Sequence, residues 1–413
     1  MGPRLPPLRS GLDLMPSPVS DRPGLLIRDP LRYSDQVLII PPPLVPLLAL
    51  FDGDHDEGDL RKALVELTGE NEVDELLRRL ADTLGGGAFL QDEAFSHRKA
   101  ERQAAFVAAP VREPAHAGSA YPDAPDPLRE LLTRHLAADA PSKEPVATRP
   151  VGIAAPHVSP EGGFASYASA YNALGPADAG RTAVILGTSH YGPLHRFGLT
   201  RKAYATPLGE ARPDLDLVDW LERQGGPAVE PEDYCHAVEH SIEFQVVFLQ
   251  HVLGPEVRIV PILCGPFSFE SERPEDDLGV ARFLAALRDL AAREGDRLLF
   301  VLGIDMAHIG RRYGDSLRAK AGQGIMSEVR ARDEARIAKA LDGDPAGFWQ
   351  LVRGHRGDDL NWCGSAPLYT FLRAAGPIRG RLLHYEQWNI DEDSVVSFAG
   401  LVFEKAQEPR EPG

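Results

Sequence analysis

Three stretches of the chain end alike: an apolar run, a short turn, then a histidine. VGIAAP (151–156) leads to His157, TAVILGTS (182–189) to His190, and LLFVLGIDMA (298–307) to His308, with Asp305 three residues before it. Imidazoles gathered at such positions can hold a metal ion or move protons. A carboxylate three residues from a histidine shares one face of a helix's first turn. Asp305 is therefore expected to orient His308 as a proton carrier with a pKa near neutral. A single histidine of this kind is most simply a hydrogen-bonded turn residue. The same position repeated three times is not explained that way.

HAVEHSIEFQ (236–245) admits three readings. HAVEH fits H-x-x-E-H, the inverted zinc-protease pattern, with His236 and His240 on one helix face and Glu239 as base. The pattern fixes few positions, so chance matches are common. In the second reading Glu239, His240 and Glu243 face the histidine cleft, with Glu239 and Glu243 four residues apart on one helix face. In the third, the acids simply sit near a helix N-terminus. Cys363, in NWCGSAP (361–367), precedes a helical pattern over 368–374. A helix N-terminus lowers a thiol's pKa and suits a nucleophile or metal ligand, whereas a lone cysteine is usually a small buried hydrophobe.

The elements that must position these residues follow from the apolar pattern. Further apolar runs occur at RIVPILCG (258–265), RLLHYEQW (381–388) and VVSFAGLVF (395–403). Helical patterns lie at 164–174, 239–253, 278–292 and 326–341. Strands apolar throughout are buried on both faces. Residues 112–404 are therefore expected to be an α/β domain, a central mixed or parallel sheet flanked by helices. Ligands of such sheets bind at the carboxyl ends of the strands, where the histidines fall.

Residues 18–92 read as a separate small α+β domain, winged-helix-like. GLLIRDPLRYSDQVLII (24–40) gives two short strands. A helix is expected to start at Gly58 or Asp59 and stop at Gly69. A second carries Val73, Leu76, Leu77, Leu80 and Leu84, and 88–90 is a closing strand. Gly85-Gly86-Gly87 ends a helix rather than opening one, so it is no phosphate loop. With no basic stripe, the module suits a peptide or protein partner, or packing, rather than DNA. The charged, alanine-rich stretch 93–111 is expected to be a linker, helical over much of its length, and SKEPVATRP (142–150) a loop.

At ~150 residues per domain, 413 residues allow two or three domains. The apolar share of 43% and charged share of 25% exclude a disordered chain or a coiled coil. A net charge of −17 argues against nucleic acid and anionic membranes as partners. Cys235, Cys264 and Cys363 are widely spaced without a C-x-x-C, which excludes a disulfide scaffold and a thiolate zinc ribbon. A reducing, cytoplasmic location is expected. The first twenty residues hold no apolar signal core, and Pro6 breaks the myristoylation pattern. The longest apolar stretch, 38–51, contains Pro41, Pro42, Pro43 and Pro46 and falls short of the ~20 residues of a membrane helix.

From Arg112 to Phe403 the chain resembles the Memo-like family, of the AmmeMemoRadiSam type, whose fold is similar to that of the class III extradiol dioxygenases. The motifs are REPAHAGSAYP (112–122), AAPH (154–157), ILGTSH (185–190), TPLGE (206–210), EHSIEFQ (239–245), VPILCG (260–265), GIDMAH (303–308) and NWCGSAP (361–367). The resemblance implies a metal-binding cleft with His157, His190 and Cys363 as ligands. Glu239, His240, Asp305 and His308 would line it as catalytic residues, and His116 would sit beside it in a cofactor-binding position. It implies iron, with copper or zinc as alternatives, and an iron-dependent oxidoreductase of unidentified substrate. The other reading is a non-catalytic metal- or peptide-binding adaptor. The family's association with radical-SAM and AMMECR-type proteins implies a protein partner. Val158-Ser159 and Tyr191 depart from the family's usual residues beside the first two ligands, and His236 lies outside the shared motifs.

Overall fold

The computed structural model describes residues 4–17, 19, 21–138, 149–355 and 357–406. Residue 18, where the small domain was expected to begin, and 142–148 of the expected loop lie outside these. The chain forms two compact units, Met1–Ala108 and Ala109–Gly413.

In the first unit Asp13–Pro16, Leu25–Arg28 and Val37–Ile40 form an antiparallel sheet in that order. The two strands expected within 24–40 are present, and a third precedes them. Helices span Glu57–Thr68, Asp74–Gly86 and Glu93–Ala108. The last covers most of the stretch read from sequence as a linker, and it is counted with the first unit. Asp56, not Gly58 or Asp59, caps the first helix, its carboxylate accepting the N–H groups of Gly58 and Asp59. Gly69 closes that helix in the left-handed region. Residues 88–90 do not make the expected strand. The N–H groups of Ala88 and Phe89 donate back to Gly85 and Leu84 of the preceding helix, and Leu90 makes only an isolated bridge to Leu8. Ile27, Ile40, Leu60, Leu64, Leu77, Leu84 and Phe89 build this unit's core.

Among the described residues the second unit holds a mixed sheet of twelve strands. At its centre Arg258–Cys264, Thr182–Thr188, Leu298–Gly303 and Gly152–Ala155 lie side by side and parallel. Ser394–Lys405 pairs antiparallel with Gly152–Ala155, and also carries Ile378–Asp391 and His308–Gly310. Burial on both faces explains why the four central strands are apolar along nearly their whole length. Ile378–Asp391, read from sequence as an apolar run over 381–388, is by contrast only half-buried and carries Arg379, Glu386 and Asp391. Helices Pro160–Tyr171 and Glu243–Leu253 form one layer, and Leu278–Glu294 with Ser365–Ala374 another. Val184, Leu186, Phe300 and Leu302 share a core with Leu287 and Phe371 of the second layer.

Two expected helical segments are absent at the strand ends. The helix expected over 239–253 begins only at Glu243. Residues 239–242 instead cross the ends of the parallel strands. A Cβ on Gly303 would meet the Ser241 carbonyl oxygen at 2.0 Å, so only glycine admits that crossing. Residues 305–308 form no helical turn either. Met306 N–H donates to Ser397 O, Ala307 N–H to Ser397 Oγ, and His308 enters a strand opposite Val396. The neighbouring strand has taken the backbone groups a helix would have used.

Candidate metal centre

Three adjacent parallel strands deliver side chains at one sheet edge. His157 follows Gly152–Ala155, Asp305 follows Leu298–Gly303, and His190 follows Thr182–Thr188. Cys363 arrives from the turn before helix Ser365–Ala374. Gly364 N–H donates to Asp305 O at 3.0 Å, and Thr188 Oγ1 donates to Cys363 O at 3.2 Å. A Cβ on Gly364 would lie 2.5 Å from Ile304 Cβ and 2.6 Å from Asp305 O. The missing side chain is what lets this turn settle on the strand ends.

One ligand atom each from His157, His190 and Cys363 lie within 4.8 Å of one another, with Cys363 Sγ 3.3 Å from His157 Nε2. Each imidazole is held through Nδ1, which turns Nε2 toward the cleft; the Nε2 lone pair of His157 is free there, whereas a metal ion would have to displace a proton from His190. His157 Nδ1 is 2.9 Å from Gly303 O, and a carbonyl can only accept. Nδ1 therefore carries the proton and Nε2 turns its lone pair toward the thiol. His190 Nδ1 lies 3.0 and 3.1 Å from the two carboxylate oxygens of Glu239, leaving Nε2 toward the cleft. This backing of imidazole by carbonyl or carboxylate is the usual support of a metal-ligating histidine. His240 stacks on His190 with ring centres 5.0 Å apart, and its Nδ1 is 3.1 Å from Glu239 Oε1. His190, Glu239 and His240 thus make a second group of closely spaced donors.

The electrostatics separate these groups. Burial pushes Glu239 up, but the charges and hydrogen bonds of His190 and His240 outweigh it and hold the carboxyl well below its usual range. His190 shows the converse: burial lowers it, and Glu239 and Cys363 carry it well above the usual histidine value. His157 is driven far down by burial, then by His190 and His240, so it is neutral. Burial lifts Asp305 to about 6.

Several sequence expectations change here. Asp305 does not orient His308. Its Oδ1 accepts the His157 backbone N–H at 2.9 Å, and Oδ2 lies 3.5 Å from His157 Nε2. His308 Nδ1 instead faces Met306 O at 2.9 Å and Asn361 O at 3.2 Å, and burial lowers the ring to about 4 rather than leaving it near neutral. The Cys363 thiol is pushed up by burial, not lowered by the helix that starts two residues on. Glu239 and Glu243 do not share a face. Glu243 is fully buried and accepts from Arg112, Tyr121 and the N–H groups of Ala115 and His116. His236 meets Tyr204 Oη at 2.6 Å and Gly198 O at 3.0 Å, so both ring nitrogens are engaged away from the cleft and the protease pattern fails. His116 does reach the cluster: its ring is 5.6 Å from His240, and Nε2 is 3.0 Å from Val238 O.

Sequence reasoning missed Tyr313, whose ring stands perpendicular to His308 at 4.9 Å. It also missed Arg112 and Tyr121 as supports. Arg112 donates to the carbonyls of His236 and Glu239 as well as to Glu243, and so fastens the crossing segment. Both lie in REPAHAGSAYP (112–122), and nothing in that stretch says which distant segment they hold.

The family model described as Memo-like protein matches residues 112–402, which include every member of this cluster. The chain belongs to the Memo-like family. A MEMO1 family protein of Thermococcus kodakarensis is 32% identical over 311 residues, covering 71% of this chain and 100% of its own. One from Thermococcus onnurineus is 31% identical over 314 residues, with the same coverage of both chains. A MEMO1 family protein of Aquifex aeolicus is 26% identical over 391 residues, covering 92% of this chain and 95% of its own. That match reaches into the first unit as well as the Memo-like unit. Among the described residues, no helix is long and apolar enough to cross a membrane.

Proposed function

We propose that this Memo-like cleft binds a transition metal through His157, His190 and Cys363 and serves an oxidoreductase reaction, with iron as the metal. The observation that carries the reading is the convergence of two imidazoles and one thiol within 4.8 Å, with both imidazoles anchored through Nδ1. A metal held there would supply redox or Lewis-acid chemistry, and an N₂S donor set admits iron, copper and zinc. The chain's own residues supply the rest. Glu239 fixes the orientation of His190 and balances positive charge in the cleft. His308, neutral with its Nδ1 proton engaged by carbonyls, presents Nε2 as a hydrogen-bond acceptor to a bound group. Asp305, with a pKa of about 6, can hold or release a proton near neutrality.

The test is metal content of full-length protein purified without oxygen, beside Cys363→Ser, Cys235→Ser and Cys264→Ser. About one equivalent of iron is expected in wild type, Cys235→Ser and Cys264→Ser, and a deficit in Cys363→Ser. Cys235 and Cys264 are buried packing residues whose thiols burial pushes far up. Equal metal in all four proteins would move the site to His190, Glu239 and His240. No metal in any of them, with a peptide still captured, would establish the adaptor reading instead.

A further inference from the structure

The helix Ile325–Leu341 lies outside the cleft, yet two charged residues on its buried side reach the segments that form it. Asp333 is fully buried and Arg336 is 2% exposed. They stand one helical turn apart, on the stripe otherwise made by Met326, Val329, Ile337 and Ala340. A buried carboxylate on an otherwise apolar stripe is costly unless its partners satisfy it.

The partners of Asp333 are specific. Oδ1 accepts from Trp362 Nε1 at 2.6 Å. Oδ2 accepts from Ser397 Oγ at 2.6 Å and from Tyr385 Oη at 2.8 Å. Each donor's direction is fixed. An indole N–H can only donate. Ser397 Oγ already accepts the Ala307 N–H at 2.9 Å, and Tyr385 Oη accepts from Gln387 Nε2 at 3.1 Å, so each turns its own hydrogen to Asp333. Three donors meet one acceptor group, and the carboxylate is the form that fits.

Two of these partners lead straight to the cleft. Trp362 precedes Cys363. Ser397 holds Ala307, which lies between Asp305 and His308. Arg336 reinforces the first arm: it donates to Asp358 at 2.8 Å, and Asp358 accepts the N–H groups of Leu360 and Trp362. The cleft loops are also tied to each other, His308 N–H donating to Leu360 O at 2.8 Å.

We propose that Asp333 is a positioning residue of the metal cleft, a single buried carboxylate that locks the Cys363 segment to the Asp305–His308 segment from behind. It touches no reacting atom and acts through Trp362 and Ser397. The inference rests on the metal-site reading above, but it also concerns the placement of Cys363 in metal-free protein.

The test compares full-length wild type with Asp333→Asn, which keeps the size and removes one acceptor. Two readouts are used. Cobalt(II) titration reports affinity and the thiolate-to-cobalt charge-transfer band. Maleimide labelling of metal-free protein, read peptide by peptide, reports access to Cys363, with Cys235 and Cys264 as markers of general unfolding. A partner that bonds a metal ligand directly is typically worth about 10- to 100-fold in affinity, and Asp333, one bond further out, is expected at the lower end, about 10-fold. The expected result is a loss of that size, a weakened charge-transfer band, and faster labelling of Cys363 while Cys235 and Cys264 stay protected. A variant that melts earlier but binds cobalt and labels like wild type overturns the proposal, leaving Asp333 a core residue only. If Asp333→Asn does not fold, Ser397→Ala cuts one arm alone, and unchanged cobalt binding and labelling there overturn it equally. If wild type binds no cobalt, the metal reading fails, and the Cys363 labelling comparison by itself decides the role of Asp333.

Discussion

Glu243→Gln tests the support of the crossing segment that carries Glu239 and His240. Glu243 and Arg112 are both buried, at 0% and 1% side-chain exposure, and they form an ion pair. The substitution keeps the shape but strands the guanidinium charge in the interior. Breaking a buried pair from one side costs about 3–5 kcal/mol, because the remaining charge is uncompensated. For a domain of this size ~2 °C of melting temperature corresponds to 1 kcal/mol, so a drop of roughly 6–10 °C is expected. The signal is clean, because Trp220, Trp349, Trp362 and Trp388 account for all 4 tryptophans and all lie in the second unit. Tryptophan fluorescence therefore follows that unit alone. The pH dependence has a definite sign. Burial raises Glu243, but Arg112, His116 and Tyr121 outweigh it and hold the carboxyl below its ordinary range. A depressed pKa contributes stability that is present above the ordinary carboxyl range and lost as pH falls through the folded value. The gap between wild type and Glu243→Gln should be widest at neutral pH and should close in acid. Adding Arg112→Met should recover part of the loss. A gap below about 1 kcal/mol, or one that persists unchanged into acid, would refute the argument that a stranded charge causes it.

Three further outcomes are expected. Gly364→Ala should lower both the melting temperature and the metal content, since its Cβ would sit 2.5 Å from buried Ile304 Cβ and 2.6 Å from Asp305 O and push the Cys363 turn off the strand ends; full metal content would refute this. If the proposed reaction takes place, His308→Ala should impair it while keeping most of the metal, whereas metal loss would make His308 a ligand. Asp29→Asn should destabilise the first unit by about 3–5 kcal/mol, because Asp29 pairs with buried Arg9 and accepts the N–H groups of Leu31 and Ser34. Amide hydrogen exchange should show that loss within residues 4–108, with the tryptophan transition unmoved.

The alternation of apolar runs with helical patterns determined the α/β character of residues 112–404. A strand buried on both faces must be apolar along its whole length, so VGIAAP, TAVILG and LLFVLG could be read directly. The histidines after VGIAAP and TAVILGTS do come together, because adjacent parallel strands present their carboxyl ends side by side, whereas after LLFVLG it is Asp305 that takes that place and His308 belongs to the next strand. Other features had no local signature. The sequence around Glu239 and Asp305 has the spacing of helix turns, but neighbouring strands and Glu239's own bonds to His190 claim those backbone groups and side chains. Whether Asp305 serves His157 or His308 depended on the path of the chain after Gly303, which the crossing at Ser241 and the pairing with Ser397 decide. Cys363 could be read as a thiol activated by a nearby helix or as a small buried hydrophobe, and in the fold burial dominates its thiol. Asp333 and Arg336 stand among the charged residues of RARDEAR, which reads as a solvated face. Only packing decided which of those charges turn inward, because a helix rotates its charges between solvent and core according to what lies against it, and here Trp362, Ser397 and Asp358 lie against it.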